Sequence, residues 1–589
     1  MNSIKWVWQY IRPYLFGWSW ASIMVVAVAL LNIVTPYVGG LIVDNVIYNG
    51  ESDLLLPLLG LMLLGTFVRT ILRYTYQIKF ERIGQNALYQ IREDLYTKLQ
   101  ELDFTFFNTT RVGDIMARMT GDTDAIRHAI AWLYFNVLDN IVLFVSALIV
   151  LSTIEWRLTL ALLIVTPFIA LFTILLSIKA NGAFYEIRES FAKLNSMVEE
   201  NIGGNKVVKA FANEAYEEQK FDVRNEGFKK ANMDSVNISK TYLPVLETLA
   251  GFMAVISVGL GGFFVLNGMM SVGNLVAFNG LIWMLNTPMR NVGGYMNDMQ
   301  RFITATYKIR EMLNTKPLIP VNQKKSIQEM RGEVEFQNVS FAFADEPEHF
   351  VLSHISFRAE PGETIGILGE TGSGKSTLVN MISRFFDPTE GRVLIDGEDA
   401  RRWNVLDLRK QIAIVMQDVF LFSDTIKGNI SYGKPSAEFE DIEQVARVAD
   451  ASQFIEKMPE RYETYLGERG SGLSGGQRQR LSLARGLIKH PKILILDDTT
   501  SAVDMETEVK IQKGMKDVSR DTTTFIIANR ISSVKNADQI LIMSKGEIIE
   551  RGQHEELLAR KGSYYDIYQE QLGQSEVEEE EDEDGSSTD

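Results

Sequence analysis

Long uncharged runs of apolar residues occupy the first half of the chain and are missing from the second half. A helix that crosses the hydrocarbon core of a bilayer needs about 20 apolar residues, so these runs predict six transmembrane helices. The last run has 42 residues, which is enough for two helices joined by a turn at Asn267-Gly268. A buried core helix is the alternative for any single run, but runs long enough for six helices in succession favour membrane spans. The runs are Pro13–Val43, Leu54–Val68, Ala129–Ile154, Leu158–Ile178 and Thr248–Met289.

Positive charge is distributed unevenly over the segments between these runs. Lys79–His128 and Lys179–Lys240 contain 7 and 10 Lys and Arg residues, and the three connections on the other side contain one, Arg157. Lys and Arg accumulate on the cytoplasmic side of membrane proteins, which predicts a multi-pass protein of the cytoplasmic membrane with both termini in the cytoplasm. Apolar residues recur at helical spacing in both long segments, so we expect them to extend the membrane helices into the cytoplasm.

The pattern changes after Arg310, where short β-rich runs alternate with helical ones. This alternation is typical of an α/β domain with a largely parallel sheet. At the other end, Met1–Tyr14 is amphipathic rather than apolar, so we expect a helix on the membrane surface and no signal peptide. The predicted domains are a six-helix transmembrane domain (1–310, with surface helix 1–14), a linker (311–330), an α/β domain (331–573) and an acidic disordered tail (574–589). The expected strands are Val334–Phe336, Thr364–Leu368, Ile412–Met416, Ile493–Leu496, Thr524–Ile527 and Ile540–Met543.

Composition excludes several classes of protein. The net charge is −16, but nine acidic residues lie between Glu576 and Asp589, and the rest of the chain carries −7. We therefore expect no nucleic-acid partner. Apolar residues make up 46% of the chain, too many for a disordered protein. The chain has no cysteine, which excludes disulfides, cysteine-ligated metals and thiol catalysis.

A phosphate-binding motif follows the strand Thr364–Leu368. Its sequence, GETGSGKST, matches GxxxxGK[ST] in the required strand–loop–helix context. Glycines in such a loop let backbone N–H groups surround the phosphates, and the N-terminus of the next helix favours negative charge. The motif predicts ATP and Mg²⁺ as ligands, with Lys375 on the β- and γ-phosphates and the Ser376 hydroxyl on Mg²⁺. The motif consists of Gly369, Glu370, Thr371, Gly372, Ser373, Gly374, Lys375, Ser376 and Thr377.

A second acidic element ends the apolar strand Ile493–Leu496. Asp497 at the carboxyl end of this strand is expected to hold Mg²⁺ through water, and Asp498 follows it. An apolar strand that ends in Asp is a weak signal alone. Together with the phosphate loop it predicts a nucleotide-hydrolysing site.

The second half resembles the ATPase domain of ABC transporters. The sequence LSGGQ looks like the signature of that family, and the order of the motifs agrees with it. The resemblance implies that Gln417 is the Q-loop glutamine, which contacts Mg²⁺, that Phe343 stacks on adenine, and that Asp504 belongs to the D-loop. The signature residues, which in this family act on the opposite chain's nucleotide, are Leu473, Ser474, Gly475, Gly476 and Gln477.

The first half resembles the membrane domain of six-helix ABC exporters. Gly113–Arg118 looks like their first cytoplasmic loop, and Val207–Glu218 is similar to the second loop, which docks on the partner's nucleotide domain. The resemblance covers roughly Tyr10 to Leu572. It implies a half-transporter that couples ATP hydrolysis to the export of amphipathic compounds, drug-like or lipid-like.

Two residues depart from the family pattern. Most ABC ATPases have Glu where this chain has Asp498, as general base, and His in the switch loop where it has Asn529. The Asp carboxylate is withdrawn by roughly 1 Å, a misplacement that can cost about 10²-fold in rate, and Asn carries no positive charge. The resemblance therefore implies a hydrolytic site of Asp498, Asn529 and Gln417 that is degenerate at Asp498 and Asn529. The expected partner is a homologous half-transporter with Glu and His, whose competent site would use the intact signature of this chain.

Alternatives remain open on the sequence alone. A homodimer with two weak sites would act as a slow ATP-gated or regulatory membrane protein, and a peptide exporter is disfavoured because no cysteine-peptidase domain precedes the first span. Asp139 and Glu247 lie within or beside spans, where ionised groups are costly. These two carboxylates either bind cationic cargo, form a hydrogen bond between helices or lie at the membrane interface.

Overall fold

A computed structural model of the chain describes residues 3–320, 329–499, 505–518 and 521–571. The chain forms two compact units. The first contains Met1–Gln100 and Thr110–Thr315, and the second contains Glu101–Thr109 and Lys316–Asp589. A segment of nine residues from the first third of the sequence thus belongs to the second unit.

Twelve α-helices precede the first strand in the described residues. Their regular i→i−4 hydrogen bonds satisfy the backbone within each segment, which a bilayer requires. Short π-helical turns at Ile42–Tyr48, Arg118–Asp122 and Ala129–Leu133 connect some of them. The helices are α1 (Ser3–Ile11), α2 (Leu15–Leu31), α3 (Val34–Leu41), α4 (Leu55–Glu101), α5 (Phe104–Thr109), α6 (Val112–Ala117), α7 (Thr123–His128), α8 (Tyr134–Gly203), α9 (Asn205–Ala210), α10 (Glu214–Leu266), α11 (Val272–Leu281) and α12 (Trp283–Asn314).

The apolar runs lie on these helices, but the helices do not match the runs one to one. Within the described residues, four continuous stretches are long and apolar enough to cross a membrane: Ser3–Tyr48, Ser52–Glu101, Val112–Gly203 and Glu214–Leu266. Helix α8 carries two of the predicted runs and is interrupted only at Glu155, whose backbone is extended (φ −156°, ψ 102°). The second half of the last run, after the turn at Asn267-Gly268, is divided between α11, which is ten residues long, and the start of the more polar α12.

The long helices confirm that the apolar segments continue as helices into the polar segments beyond them. Helix α4 continues to Glu101 and α8 continues to Gly203, far beyond the apolar parts of both. On α4, Leu56, Leu63 and Phe67 are 79%, 72% and 64% exposed. A contiguous exposed apolar surface of this kind fits contact with lipid. The N-terminal half is therefore a helical membrane domain.

The first and last apolar runs are joined at the start of α11. The carboxylate of Asp44 accepts hydrogen bonds from the backbone N–H of Gly273 (2.7 Å) and from the Ser271 hydroxyl (2.5 Å). Ser271 also caps α11 by accepting from the Asn274 backbone N–H at 3.0 Å. A side chain at Gly273 would collide with the backbone carbonyl of Gly40, so glycine allows these two segments to approach each other.

The second unit is an α/β domain with two sheets in its described residues. Its strands are β1 (Val334–Ala342), β2 (Phe350–Ala359), β3 (Thr364–Gly369), β4 (Glu390–Ile395), β5 (Glu398–Asp399), β6 (Ile412–Val415), β7 (Ile493–Asp497), β8 (Thr523–Ile527), β9 (Gln539–Ser544) and β10 (Glu547–Gly552). Its helices are α13 (Lys375–Ile382), α14 (Val405–Gln411), α15 (Ile426–Ser431), α16 (Phe439–Val448), α17 (Ser452–Ile455), α18 (Gly475–Leu487), α19 (Met505–Val518) and α20 (His554–Arg560). A further helical segment covers 563–571.

The order of the strands places the loops after β3, β7 and β8 at one edge of the larger sheet. The smaller sheet is antiparallel, in the order β2-β1-β4-β5, and the larger has the order β10-β9-β3-β8-β7-β6. Strands β9, β3, β8, β7 and β6 are parallel, and β10 is antiparallel to β9. Every predicted strand is present, which confirms the α/β prediction. Because β8 lies between β3 and β7, the loops after these three strands meet at the carboxyl edge, where ligands bind in such sheets.

Helix α5 is held by the second unit. The rings of Phe104 and Phe385 are 4.3 Å apart between centroids. Asp103, just before α5, accepts hydrogen bonds from the backbone N–H groups of Leu318 and Ile319. The guanidinium of Arg409 lies over the Phe385 ring, 5.0 Å from its centroid.

Candidate nucleotide-binding site

The phosphate loop wraps around its own lysine. Lys375 Nζ donates to the carbonyls of Gly369 (2.7 Å) and Glu370 (2.8 Å). Burial lowers the pKa of Lys375, and the nearby carboxylates of Asp497 and Asp498 oppose that shift. The ammonium group is thus held at the mouth of the loop, where a phosphate can replace the two carbonyls.

Two glycines give this loop its shape. Gly374, which directly precedes α13, has a left-handed backbone (φ +98°), and a Cβ there would lie 2.7 Å from the Leu352 side chain. Gly372 also has a positive φ of 84°. Residues with a Cβ are strained in this region. Only glycine lets the loop pass close to β2 and direct its backbone toward a ligand.

Asp497 and Ser376 face each other across the site. Burial raises the pKa of Asp497, a hydrogen bond from Ser376 and the charge of Lys375 lower it, and Asp498 raises it. A hydroxyl and a carboxylate that adjoin a phosphate site are the oxygen donors that Mg²⁺ prefers. The residues present therefore fit a magnesium ion.

The two residues that depart from the family pattern meet at one oxygen atom. Asp498 Oδ2 accepts from Gln417 Nε2 at 3.2 Å and from Asn529 Nδ2 at 3.4 Å. The backbone of Asp498 is left-handed (φ +49°), and its N–H donates to the Ile527 carbonyl at 2.9 Å. Asp and Asn tolerate this conformation better than most residues.

A cavity of about 250 Å³ brings most of the predicted residues together. Its lining combines the phosphate loop, the Q-loop glutamine, both aspartates and the switch-loop asparagine. Three predicted loop residues do not line it: Gly369, whose carbonyl accepts from Lys375, Glu370, which is exposed, and Ser373, which is buried. The lining residues are Val351, Thr371, Gly372, Gly374, Lys375, Ser376, Thr377, Gln417, Asp497, Asp498, Ile527 and Asn529.

The signature motif lies outside this cavity. Ser474 precedes α18, and its hydroxyl accepts from the Gln477 backbone N–H at 3.3 Å while Gln477 Oε1 accepts from the Ser474 N–H at 3.0 Å. This reciprocal capping box fixes the N-terminus of α18, with Gly475 and Gly476 as its first residues. Leu473 is buried below it. The motif is thus a preformed helix N-terminus, an arrangement that favours anions.

Two other predicted residues are not part of the cavity as described. Phe343 is half-buried and meets Phe341 and Phe386 edge-on, with centroids 5.0 and 5.5 Å away. It lines a separate cavity of about 630 Å³, so its contact with adenine stays a prediction. Asp504 lies outside the described residues.

Some residues of this site belong to none of the motifs in the sequence. Val351 and Ile527 line the cavity, and Gln479 Nε2 donates to the Asp498 carbonyl at 3.5 Å. Gln479 shares the buried face of α18 with Leu483 and Gly486, so its helical spacing was an available signal. Gln571, whose contacts with the switch loop are described below, has no local motif around it.

Comparison with known proteins supports this assignment. A family model described as "ABC transporter transmembrane region" matches residues 20–289, and one described as "ABC transporter" matches residues 352–501. An ABC transporter ATP-binding protein of Bacillus subtilis, YknU, is 35% identical over 573 residues, covering 96% of this chain and 97% of its own. The chain belongs to the ABC transporter family. This ABC transporter combines the membrane and ATPase domains of an exporter in one chain.

Other relatives carry more specific names. An ATP-dependent lipid A-core flippase of Desulfotalea psychrophila is 34% identical to this ABC transporter, over 96% of the chain and 98% of the relative. A putative multidrug export ATP-binding/permease protein of Bacillus subtilis, YgaD, is 33% identical, over 96% and 99%. The structure of a bacterial Atm1-family ABC exporter with ATP bound superposes with a TM-score of 0.76 at 27% identity, covering 95% of this chain and 98% of that one. The chain is therefore an ABC exporter in which ATP hydrolysis drives transport.

Proposed function

We propose that this exporter chain is one half of a heterodimer that moves amphipathic compounds out across the cytoplasmic membrane. The observation that carries the proposal is the pairing of Asp498 with Asn529 at the position of the hydrolytic residues. The lipid A flippase and multidrug export proteins among the relatives support an amphipathic, drug-like or lipid-like cargo. The excess of Lys and Arg in the two long cytoplasmic segments supports an orientation with both termini in the cytoplasm.

ATP and Mg²⁺ are the proposed ligands of the cavity. Lys375 and the loop N–H groups bind the phosphates, Ser376 and Asp497 supply oxygen donors to the metal, and Gln417 adds its amide oxygen. Bound Mg²⁺ neutralises charge on the phosphate oxygens. Phe343 is the proposed stacking residue for adenine, and Asp504 the proposed D-loop residue.

Hydrolysis at this chain's own site is proposed to be slow. A general base must lie within hydrogen-bond reach of the attacking water, and the Asp498 carboxylate is one methylene shorter than the usual Glu. Its Oδ2 is also engaged by the Gln417 and Asn529 amides. Asn529 can donate to a phosphate but brings no positive charge.

The competent site is proposed to belong to the partner. In this family each nucleotide lies between the phosphate loop of one chain and the signature of the other, and the signature here is complete from Leu473 to Gln477. The partner would be a homologous half-transporter with Glu and His at the two altered positions. This chain would then supply the helix N-terminus at Ser474 that contacts the partner's nucleotide.

Purification of the chain with and without its partner tests the proposal. Alone in lipid nanodiscs, the chain should bind ATP but turn it over far below the 1–10 s⁻¹ or so that is ordinary for enzymes. Coexpression with the partner should restore ordinary turnover and transport. Ordinary turnover by the chain alone would contradict the heterodimer and favour a symmetric homodimer. Slow turnover with no functional partner would favour an ATP-gated or regulatory role.

A further inference from the structure

The side chain of Gln571 forms two hydrogen bonds with the backbone of the switch loop. Its Nε2 donates to the backbone carbonyl of Asn529 at 2.8 Å, and its Oε1 accepts from the backbone N–H of Ile531 at 2.9 Å. One primary amide thus binds the backbone on both sides of Arg530. Both distances are ordinary for good hydrogen bonds.

The switch loop leaves the sheet shortly before these contacts. Strand β8 ends at Ile527, and the N–H of Ala528 still donates to the Ile367 carbonyl of β3 at 3.2 Å. Arg530 is exposed and extended (φ −104°, ψ 134°) and precedes a short 3-10 turn at Ile531–Ser533. The two bonds from Gln571 therefore act where the chain passes from strand to loop.

The helical segment that carries Gln571 is firmly packed. Tyr564 is fully buried, and its hydroxyl lies 2.5 Å from His554 Nδ1 on α20. Ile567 and Tyr568 pack against the same apolar cluster that contains Ala528 and Ile531. The segment 563–571 thus packs against the two residues that flank the switch loop. This packing fixes the position of Gln571 relative to the loop.

The hydrogen bond from the Asn529 side chain to Asp498 is long. Asn529 Nδ2 lies 3.4 Å from Asp498 Oδ2, near the limit for a hydrogen bond. A small shift of the Asn529 backbone would break it and would move the same amide away from a bound phosphate.

We propose that Gln571 is a positioning residue, which holds the switch loop so that the Asn529 amide reaches both Asp498 and the nucleotide. This inference rests on the roles proposed above for Asn529 and Asp498. It assigns a function at the nucleotide site to the C-terminal segment of the domain. Both hydrogen bonds end on backbone atoms of the loop, so the proposed effect of Gln571 on the nucleotide passes through Asn529.

A double-mutant cycle tests the inference. The full-length chain is prepared as wild type, Gln571→Ala, Asn529→Ala and the double variant, and the release of a fluorescent ATP analogue is measured by stopped flow. Because Gln571→Ala removes two hydrogen bonds, it should accelerate release roughly five- to tenfold. In the Asn529→Ala background, Gln571→Ala should change the release rate less than about twofold. The side chain through which Gln571 acts is then already missing, so the two effects are not additive.

Two further variants separate positioning from folding. Glu570→Ala changes an exposed neighbour on the same segment and should leave release at the wild-type rate. Gln571→Glu keeps the length and the bond to Ile531 but sets a carboxylate against the Asn529 carbonyl, so it should accelerate release as Gln571→Ala does. It replaces Gln571→Ala if that variant does not fold.

Each outcome has a distinct meaning. Equal acceleration by Gln571→Ala in both backgrounds would overturn the inference and leave Gln571 with a general structural role. Wild-type release in Gln571→Ala would also overturn it. If Asn529→Ala alone leaves release unchanged, Asn529 does not contact the nucleotide as proposed. The inference is then also overturned, because Gln571 is proposed to act through Asn529. Fast ATP turnover by the wild-type chain contradicts only the impaired-site proposal, because the cycle still reports on Gln571.

Discussion

The side-chain amide of Asn529 donates to the carboxylate of Asp498, with 3.4 Å between Nδ2 and Oδ2. These are the two positions at which this chain departs from most ABC ATPases, and both carry shorter side chains than usual. The left-handed backbone of Asp498 (φ +49°) suits Asp better than Glu. The two departures therefore form one structural unit.

Restoring both residues together should restore hydrolysis. We expect the Asp498→Glu, Asn529→His chain to hydrolyse ATP faster than either single variant, by about 10²-fold over wild type, because the carboxylate gains reach and the imidazole can carry charge. The measurement is the ATPase rate of the purified chain. Addition of Lys375→Ala should abolish the gain. Equal rates in all four chains would contradict the view that these positions limit turnover.

Local motifs made much of this site predictable. The glycines, lysine and serine of the phosphate loop act within nine consecutive residues, so their spacing alone defines the chemistry. Strands such as Ile493–Asp497 are short apolar runs that end in turn signals, and the structure contains them as predicted.

Relationships that depend on tertiary packing were not predictable in the same way. The meeting of Asp498 with Asn529 follows from the position of β8 between β3 and β7, which no local pattern encodes. The inclusion of α5 in the second unit rests on the Phe104–Phe385 contact across 281 positions of sequence. The charged residues Glu155 and Arg157 did predict the break between two apolar runs, because the non-helical backbone of Glu155 divides α8 into two helices at that point.

Loss of the phosphate-loop lysine should affect the two sites of a heterodimer differently. Lys375→Ala removes the ammonium group from this chain's cavity, so we expect weaker ATP binding there and substantial remaining hydrolysis at the partner's site. Nucleotide occupancy and ATPase rate, measured on the same coexpressed complex, check this. The matching lysine variant in the partner should abolish hydrolysis. Loss of ATP from both sites in Lys375→Ala would indicate a symmetric protein.

The C-terminal segment should lose stability at alkaline pH. Burial and the neighbouring Tyr568 raise the pKa of Tyr564 from 10.0 to about 12. Its hydroxyl lies 2.5 Å from His554 Nδ1, and its backbone N–H donates to the Glu550 carboxylate. A raised pKa in the folded state gives stability that is complete below pH 10 and is lost as pH rises toward about 12. Tyr564→Phe should remove this loss. The difference in tyrosinate absorbance between wild type and Tyr564→Phe should show one tyrosine that titrates toward pH 12. A difference titration near pH 10 would contradict the prediction.

Asp139 offers a test of the cargo's charge. Its Oδ1 is buried and has no hydrogen-bond partner in the described part of the chain, while the adjacent Asn140 donates to the Tyr295 hydroxyl at 2.8 Å. If the carboxylate attracts cationic cargo, Asp139→Asn should reduce efflux of an amphipathic cation several-fold and spare a neutral analogue of similar size. Asn140→Ala is the control for helix packing. An equal loss for both compounds would mean that Asp139 acts only within the helices.

The signature motif should matter more for turnover than Asp498. In the heterodimer, Ser474→Ala and Gly475→Asp should each reduce hydrolysis by about 10²–10³-fold, because they remove a donor from the partner's transition state or place a carboxylate against its phosphate. Asp498→Asn should reduce it little, since its site turns over slowly. The measurement is the ATPase rate at saturating nucleotide.

Ser474 also caps α18, and loss of an N-cap costs about 0.5–2 kcal/mol of stability whatever its role in catalysis. Thr425 provides the matched control, because its hydroxyl caps α15 by accepting from the Gly428 N–H at 2.9 Å. Thr425→Ala should lower the thermal midpoint as much as Ser474→Ala does and leave hydrolysis near wild type. If Thr425→Ala reduces hydrolysis equally, the Ser474 effect is structural. If Asp498→Asn abolishes hydrolysis while both signature variants stay active, the chemistry belongs to this chain's own site and the heterodimer proposal is wrong.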